Sequence, residues 1–177
     1  VAIDNNLVDQ ELDAETSWNY EAGIRSQVDR TLSVSSTVFF TDYTNQIVPA
    51  SEASGQTSTN AGQSQSLGVE LDVIKLLAEN DYFTVSSQTS VMLQNAVYTS
   101  DLAGEYESGN RIPYTPEAQY RIGLTLADRS GLSVDFDCVY KGMMYSDGLN
   151  TNTTVASGQT GIIPAHTVYD LTIRKVL

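Results

Sequence analysis

The sequence predicts an all-β fold: an antiparallel, up-and-down transmembrane β-barrel segment of about seven long strands that form an incomplete barrel. Three observations predict it. Apolar and polar residues alternate along long runs, short turns and long polar connections alternate between those runs, and each run is long enough to cross a bilayer. Successive side chains of a strand point to opposite faces, so such alternation makes one face apolar and the other wet. A tilted membrane strand needs roughly 9–11 residues, whereas strands of soluble proteins usually run about 5–6.

The expected strands are 16–26, 31–47, 65–77, 82–98, 117–128, 132–145 and 166–177. In the first, Tyr20, Ala22 and Ile24 alternate with Glu21, Gly23 and Arg25. In the second, Leu32, Val34, Val38 and Phe40 share one parity. The third is the clearest: Leu67, Val69, Leu71 and Val73 take one face while Gly68, Glu70 and Asp72 take the other. Phe83, Val85, Val91 and Leu93 share a parity in the fourth. The fifth sets Ile122, Leu124 and Leu126 against Arg121, Gly123 and Thr125. The sixth repeats the pattern through Leu132-Ser133-Val134-Asp135-Phe136-Asp137-Cys138, and the last sets Tyr169, Leu171 and Ile173 against Asp170, Thr172 and Arg174.

The connections 27–30, 78–81 and 128–131 carry the Asp, Asn and Gly of tight turns. Between them lie 48–64, 99–116 and 146–165, long and rich in Ser, Thr, Gly, Asn and Gln. Long structureless loops are uncommon in compact soluble domains, and short turns at one end with long loops at the other are the layout of an outer-membrane barrel. Of ten tyrosines, Tyr20, Tyr43, Tyr82, Tyr98, Tyr120 and Tyr145 fall near strand ends, where amphipathic rings suit the lipid–water interface. Cross-strand aromatic packing would place them there equally.

Composition narrows the function. The 177 residues fit one domain, and with 41% hydrophobic and 18% charged residues the chain is too apolar to be disordered. No run approaches the roughly 20 apolar residues of a membrane helix. Nine basic residues, none of them clustered, and a net charge of -13 do not suit the many phosphates of a nucleic acid, so no nucleic-acid partner is expected. The acid is densest at Asp4, Asp9, Glu11, Asp13 and Glu15 and reads as a solvated surface. Cys138 is the single cysteine, which excludes an internal disulfide and cysteine-based metal frameworks. Val1 to Glu15 has neither the basic start nor the apolar core of a signal peptide, as expected of a processed chain or a piece of a longer one.

Several blocks, taken in order, resemble a known family. Ser17-Trp18-Asn19-Tyr20-Glu21-Ala22-Gly23-Ile24-Arg25 is similar to the S-x-N-Y-E-x-G-x-R strand of TonB-dependent outer-membrane receptors, and Phe39-Phe40-Thr41-Asp42-Tyr43-Thr44-Asn45-Gln46-Ile47-Val48 to the strand that follows it. Asn60-Ala61-Gly62 with Gly68-Val69-Glu70-Leu71 resembles the return strand. Gly109-Asn110-Arg111-Ile112-Pro113-Tyr114-Thr115-Pro116-Glu117, Asp147-Gly148-Leu149-Asn150-Thr151 and Gly161-Ile162-Ile163-Pro164-Ala165 complete the set. The resemblance covers nearly the whole chain, and its specificity lies in the order of the blocks. Within the family, the Asn45-to-Ser51 stretch and the Leu-Asn-Thr and Gly-Ile-Ile-Pro blocks look most like ferric-citrate, siderophore-type receptors.

The resemblance implies import of an iron chelate across the bacterial outer membrane. It implies a barrel of about 22 strands closed by an N-terminal plug, remodelled by a TonB protein using the proton-motive force, with outer-membrane lipid around it. Plug, TonB-contacting box and terminal aromatic residue are missing from residues 1–177. The expected unit is therefore a partial C-terminal β-barrel domain, with TonB met through the missing N-terminal region.

The barrel reading turns the long connections outward and makes Asn45, Gln46, Asn60, Arg111, Tyr114, Asn150 and Asn152 the candidate ligand-binding residues. An anionic ferric chelate calls for Arg, Lys or dense hydrogen-bond donors. The outward loops hold Arg111 against Glu52, Asp101, Glu105, Glu107 and Asp147, so most binding cations would lie outside this chain. Arg111 reads equally as a partner of Glu105, Glu107 or Glu117, and the asparagines as turn formers. No catalytic residue, metal site or cofactor is expected, and the chain does not read as an enzyme. His166 has no nucleophile in register, and Asp135 and Asp137, like Glu70 and Asp72, suit a wet lumen. Gly104 and Gly109 form no phosphate loop, and Met143-Met144 suits packing. Two alternatives are a small outer-membrane barrel with an adhesive or structural role and a soluble lipocalin-like binder.

Overall fold

The computed structural model describes residues 12–49, 58–102, 105–156 and 160–176. Its strands are β1 (Thr16–Gln27), β2 (Leu32–Pro49), β3 (Ser58–Glu79), β4 (Phe83–Tyr98), β5 (Ala118–Asp128), β6 (Leu132–Lys141), β7 (Met144–Tyr145), β8 (Ile162–Ile163) and β9 (His166–Lys175). The seven long ones form a single antiparallel sheet in chain order, β1-β2-β3-β4-β5-β6-β9, while β7 and β8 pair apart from it. β1 and β9 stand at opposite edges, so these strands do not close on themselves.

The register lines the alternating sequences up across the sheet. One row runs Val34, Val73, Thr89, Ile122, Cys138, Tyr169 from β2 to β9, and the next Leu124, Phe136, Leu171. The opposite face carries Asp72, Ser90, Arg121 in one row and Gln88, Gly123, Asp137, Asp170 in another. A one-residue slip anywhere would exchange the two faces, so the pattern fixes the register. Aromatic pairs reinforce it: Tyr20 stacks on Phe40, Tyr120 on Tyr140 and Phe136 on Tyr169, with centroids 6.4, 5.5 and 6.2 Å apart. Tyr20 and Tyr120 thus lie on the apolar face and also pack across strands.

The apolar face has no cover among the described residues. Leu67, Ile122 and Leu171 are 55%, 48% and 65% exposed. The buried hydrophobic residues among those described are Ala96, Tyr98 and Tyr106, all at the loop end. A sheet apolar on one side needs a second apolar layer, and none of the described residues supplies one.

Three expectations need correction. The connection placed at 48–64 is shorter, because the β2–β3 ladder continues to the pair Pro49↔Ser58; residues 50–57, Glu52 among them, lie outside the described residues, as does Gly104. The strand placed at 132–145 ends at Lys141. Gly142 donates to the Ala118 carbonyl at 2.9 Å, and Met144 and Tyr145 then pair with Ile163 and Ile162. The segment 146–165 is consequently not structureless. Tyr98 is not interfacial either: it lies on the polar-face parity opposite Ser64 and is 4% exposed, because Tyr106 stacks on it at 4.1 Å.

Candidate functional site

At the turn end, polar side chains close each hairpin. Asp29 accepts from the Thr31 N–H at 2.6 Å, and Asn80 from the N–H groups of Tyr82 and Phe83 at 2.8 and 3.0 Å. The loop end is larger. There the connection between β4 and β5 runs back beside β4, with Ile112 donating to the Ala96 carbonyl at 3.1 Å and Tyr98 to that of Asn110 at 2.9 Å. Pro113 and Pro116 lack the N–H that a full ladder needs, so this return stays irregular.

The connection between β6 and β9 is tied to that return. The Asn150 side chain accepts from the Arg111 N–H at 2.7 Å and donates to the Arg111 carbonyl at 2.9 Å. Asn110 donates to the Gly148 carbonyl at 3.0 Å, and the Tyr114 N–H to that of Tyr145 at 2.8 Å. Asn150 and Tyr114 both hold left-handed backbone, φ 54° and 58°. For Asn this conformation is common; for Tyr it is not.

Asp147 organises its own loop. It accepts from the Thr151 N–H and hydroxyl at 3.1 and 2.9 Å and from the Gly161 N–H at 2.9 Å. Burial alone would raise its carboxyl. The N–H donors of Gly161 and Thr151, with the Thr151 hydroxyl, outweigh burial and hold it below the usual carboxylate value of 3.8. Gly161 has φ +117°, and a side chain there would strike the Thr154 backbone. Burial pushes the Tyr106 phenol up.

The sequence-derived candidates fall into two groups. Asn45, at φ 57°, and Asn60 sit at the top of the β2–β3 ladder, where the Asn60 amide donates to the carbonyls of Asn45 and Asp13 at 2.8 and 3.0 Å and accepts from the Asp13 N–H at 2.9 Å. Arg111, Tyr114 and Asn150 belong to the joined loops; Asn152 is exposed in the second of them, and the Gln46 side chain lies outside what is described. Gly62 connects the groups, lying against Ser100 and Tyr106. Arg111 forms an ion pair with Glu117 and directs a second nitrogen to the Met143 sulfur at 3.7 Å. Asp147, which the sequence offers only as a loop acid, and the Tyr98–Tyr106 stack organise this end; the Asp-Gly step at 147–148, an ordinary turn signal, is the local clue to the former.

On the polar face of the sheet two carboxylates are paired with arginines. Arg121 grips Asp137 through two nitrogens at 3.0 and 2.9 Å, and Gly123 leaves that carboxylate its room. Asp135 takes Arg174 at 3.1 Å and the Thr125 hydroxyl at 2.8 Å. His166 is exposed, with Nδ1 3.3 Å from the Pro164 carbonyl.

A family model described as TonB dependent receptor-like, beta-barrel matches residues 2–175. Solved structures similar to the chain include the unliganded ferric citrate transporter FecA (TM-score 0.71, 19% identity, 89% of this chain) and the ferric yersiniabactin uptake receptor FyuA from Yersinia pestis (0.65, 22%, 90%). The siderophore receptor PiuA from Acinetobacter baumannii is a third (0.62, 21%, 95%). The chain spans 23%, 22% and 23% of those proteins, respectively. At these identities the likeness is one of fold. No match is found among curated protein sequences.

Proposed function

Because this chain belongs to the TonB-dependent receptor β-barrel family, we propose that it is a section of the wall and outer loops of a bacterial outer-membrane receptor that imports an iron chelate. The observation that carries this reading is the two-faced sheet. One face is mainly apolar from strand to strand, the other mainly polar, and the long loops gather at one end. Strands of 10 to 22 residues are long enough to cross a bilayer. Backbone groups in lipid must be paired, which these ladders achieve across the sheet apart from the irregularity at Leu76–Ala78, leaving the β1 and β9 edges open. Neighbouring strands of the same receptor would pair those edges, and TonB would act through parts of the receptor outside this chain.

The finer assignment is to a ferric-citrate-type substrate. It draws support from the family blocks around Asn45 and Asn150. Against an anionic chelate stands the charge of the loops, whose single arginine is already paired with Glu117. Binding cations therefore belong to other parts of the receptor, while Asn152 and the exposed ring of Tyr114 remain free to touch a ligand. Growth of an iron-starved strain carrying the whole receptor, fed single chelates, tests both levels. Growth on some iron chelate supports the transporter, failure on all of them overturns it, and failure on ferric citrate alone removes only the citrate assignment.

A further inference from the structure

The turn end of the apolar face holds a groove of about 520 Å³, within the ordinary range of ligand pockets. Tyr82, Phe83, Leu126, Leu132 and Val134 wall it, and Asp81, Asp128, Arg129 and Ser130 form its rim. The register places Phe83, Leu126, Leu132 and Val134 on the apolar face. Its base is fixed, since the Arg129 N–H donates to the Tyr82 carbonyl at 3.1 Å and joins the two turns.

The charges on the rim are unequal in their commitments. Beside it, Lys175 donates to the Ser130 carbonyl at 2.6 Å and to its hydroxyl at 2.7 Å. Asp128 accepts from the Leu132 N–H at 2.9 Å and from the Ser130 hydroxyl. Arg129 and Asp81 have only each other, 3.7 Å apart with side chains 70% and 92% exposed. Such a pair has little mutual stabilisation to lose when either member takes another partner.

We propose that this groove binds one glycerophospholipid whose headgroup carries both a phosphodiester and a primary ammonium. An acyl chain lies along Phe83, Leu126, Leu132 and Val134. The Arg129 guanidinium takes the phosphate, for which its planar fork is suited, and the Asp81 carboxylate takes the ammonium. Asp81 and Asp128 balance Arg129 and the neighbouring Lys175, so the rim matches a zwitterionic headgroup better than a net-anionic one, and a trimethylated ammonium has no N–H for Asp81 to accept.

The inference rests on the membrane reading above, and one experiment separates the two. The whole receptor, numbered as here, is reconstituted in bilayer discs with equal amounts of phosphatidylethanolamine, phosphatidylcholine and phosphatidylglycerol, and retained lipid is read by native mass spectrometry. Phosphatidylethanolamine is expected to dominate. Arg129→Ala lowers its occupancy by up to about fivefold, the most one exposed charge pair commands. Asp81→Asn removes the preference over phosphatidylcholine while total bound lipid stays constant. Heat-shifted gel mobility confirms that both exposed-site variants keep the barrel. Equal retention of the three lipids, a preference for phosphatidylglycerol, or unchanged occupancy in both variants overturns the lipid site alone. A receptor that does not enter bilayers overturns the membrane reading and the site with it.

Discussion

Asn150 satisfies the backbone of Arg111, 39 residues away in sequence, from a left-handed conformation that few side chains tolerate. Asn150→Ala loses both bonds and gains backbone strain. It should destabilise the loop pair by about 1–3 kcal/mol, read as faster hydrogen exchange in both loops; Asn150→Gly, which relieves the strain, should exchange less fast than Asn150→Ala. Asp147 makes the same loop sensitive to acid. A carboxyl held below its ordinary value adds stability that is complete above that value, 3.8, and is lost as pH falls through the depressed one. Protease nicking of 146–156 should therefore rise only below about pH 4, and Asp147→Asn should flatten the profile. At Gly68 a methyl group would meet the Phe39 ring and the Leu93 carbonyl. Gly68→Ala should cost about 1–3 kcal/mol as overpacking, measured by denaturant unfolding of the receptor, and Phe39→Ala should relieve part of it.

Each strand has one face that tolerates charge and one that does not. Leu124, in the row with Phe136 and Leu171, faces lipid in the proposed setting. Leu124→Arg should destabilise the barrel by about 2–4 kcal/mol if the residue lies near the midplane. Gln88→Arg, on the opposite face, should change stability little, as urea unfolding in lipid would report. The strands were legible because a two-residue period needs only local sequence. The top of the β2–β3 ladder was not, since Gln46, Asn60 and Ala61 are too polar or too small to show a period. β7 hid for a different reason: Met144 and Tyr145 follow β6 so closely, past Lys141 and Gly142, that they read as its end, although they pair with β8. Of the candidate site, the sequence pointed to Asn150 and Arg111 separately. Their mutual bonds span 39 positions and leave no periodic trace.

At the scale of the molecule, the sheet joins a nearly absent core to two unpaired edges. Unpaired edges recruit other strands, and the exposed apolar rows add to that tendency. The 177-residue chain expressed alone in water should self-associate, eluting in the void on size exclusion. A detergent that keeps it small and still β-rich by circular dichroism would locate the cause in the apolar face. The joined loops have a different consequence. They leave the sheet after β4 and after β6, on either side of β5, yet Asn110, Arg111 and Tyr114 of one are bound to Gly148, Asn150 and Tyr145 of the other. They form one transplantable part. Either loop grafted singly onto a related barrel loses its counterpart, while the two moved together carry their own fastenings with them.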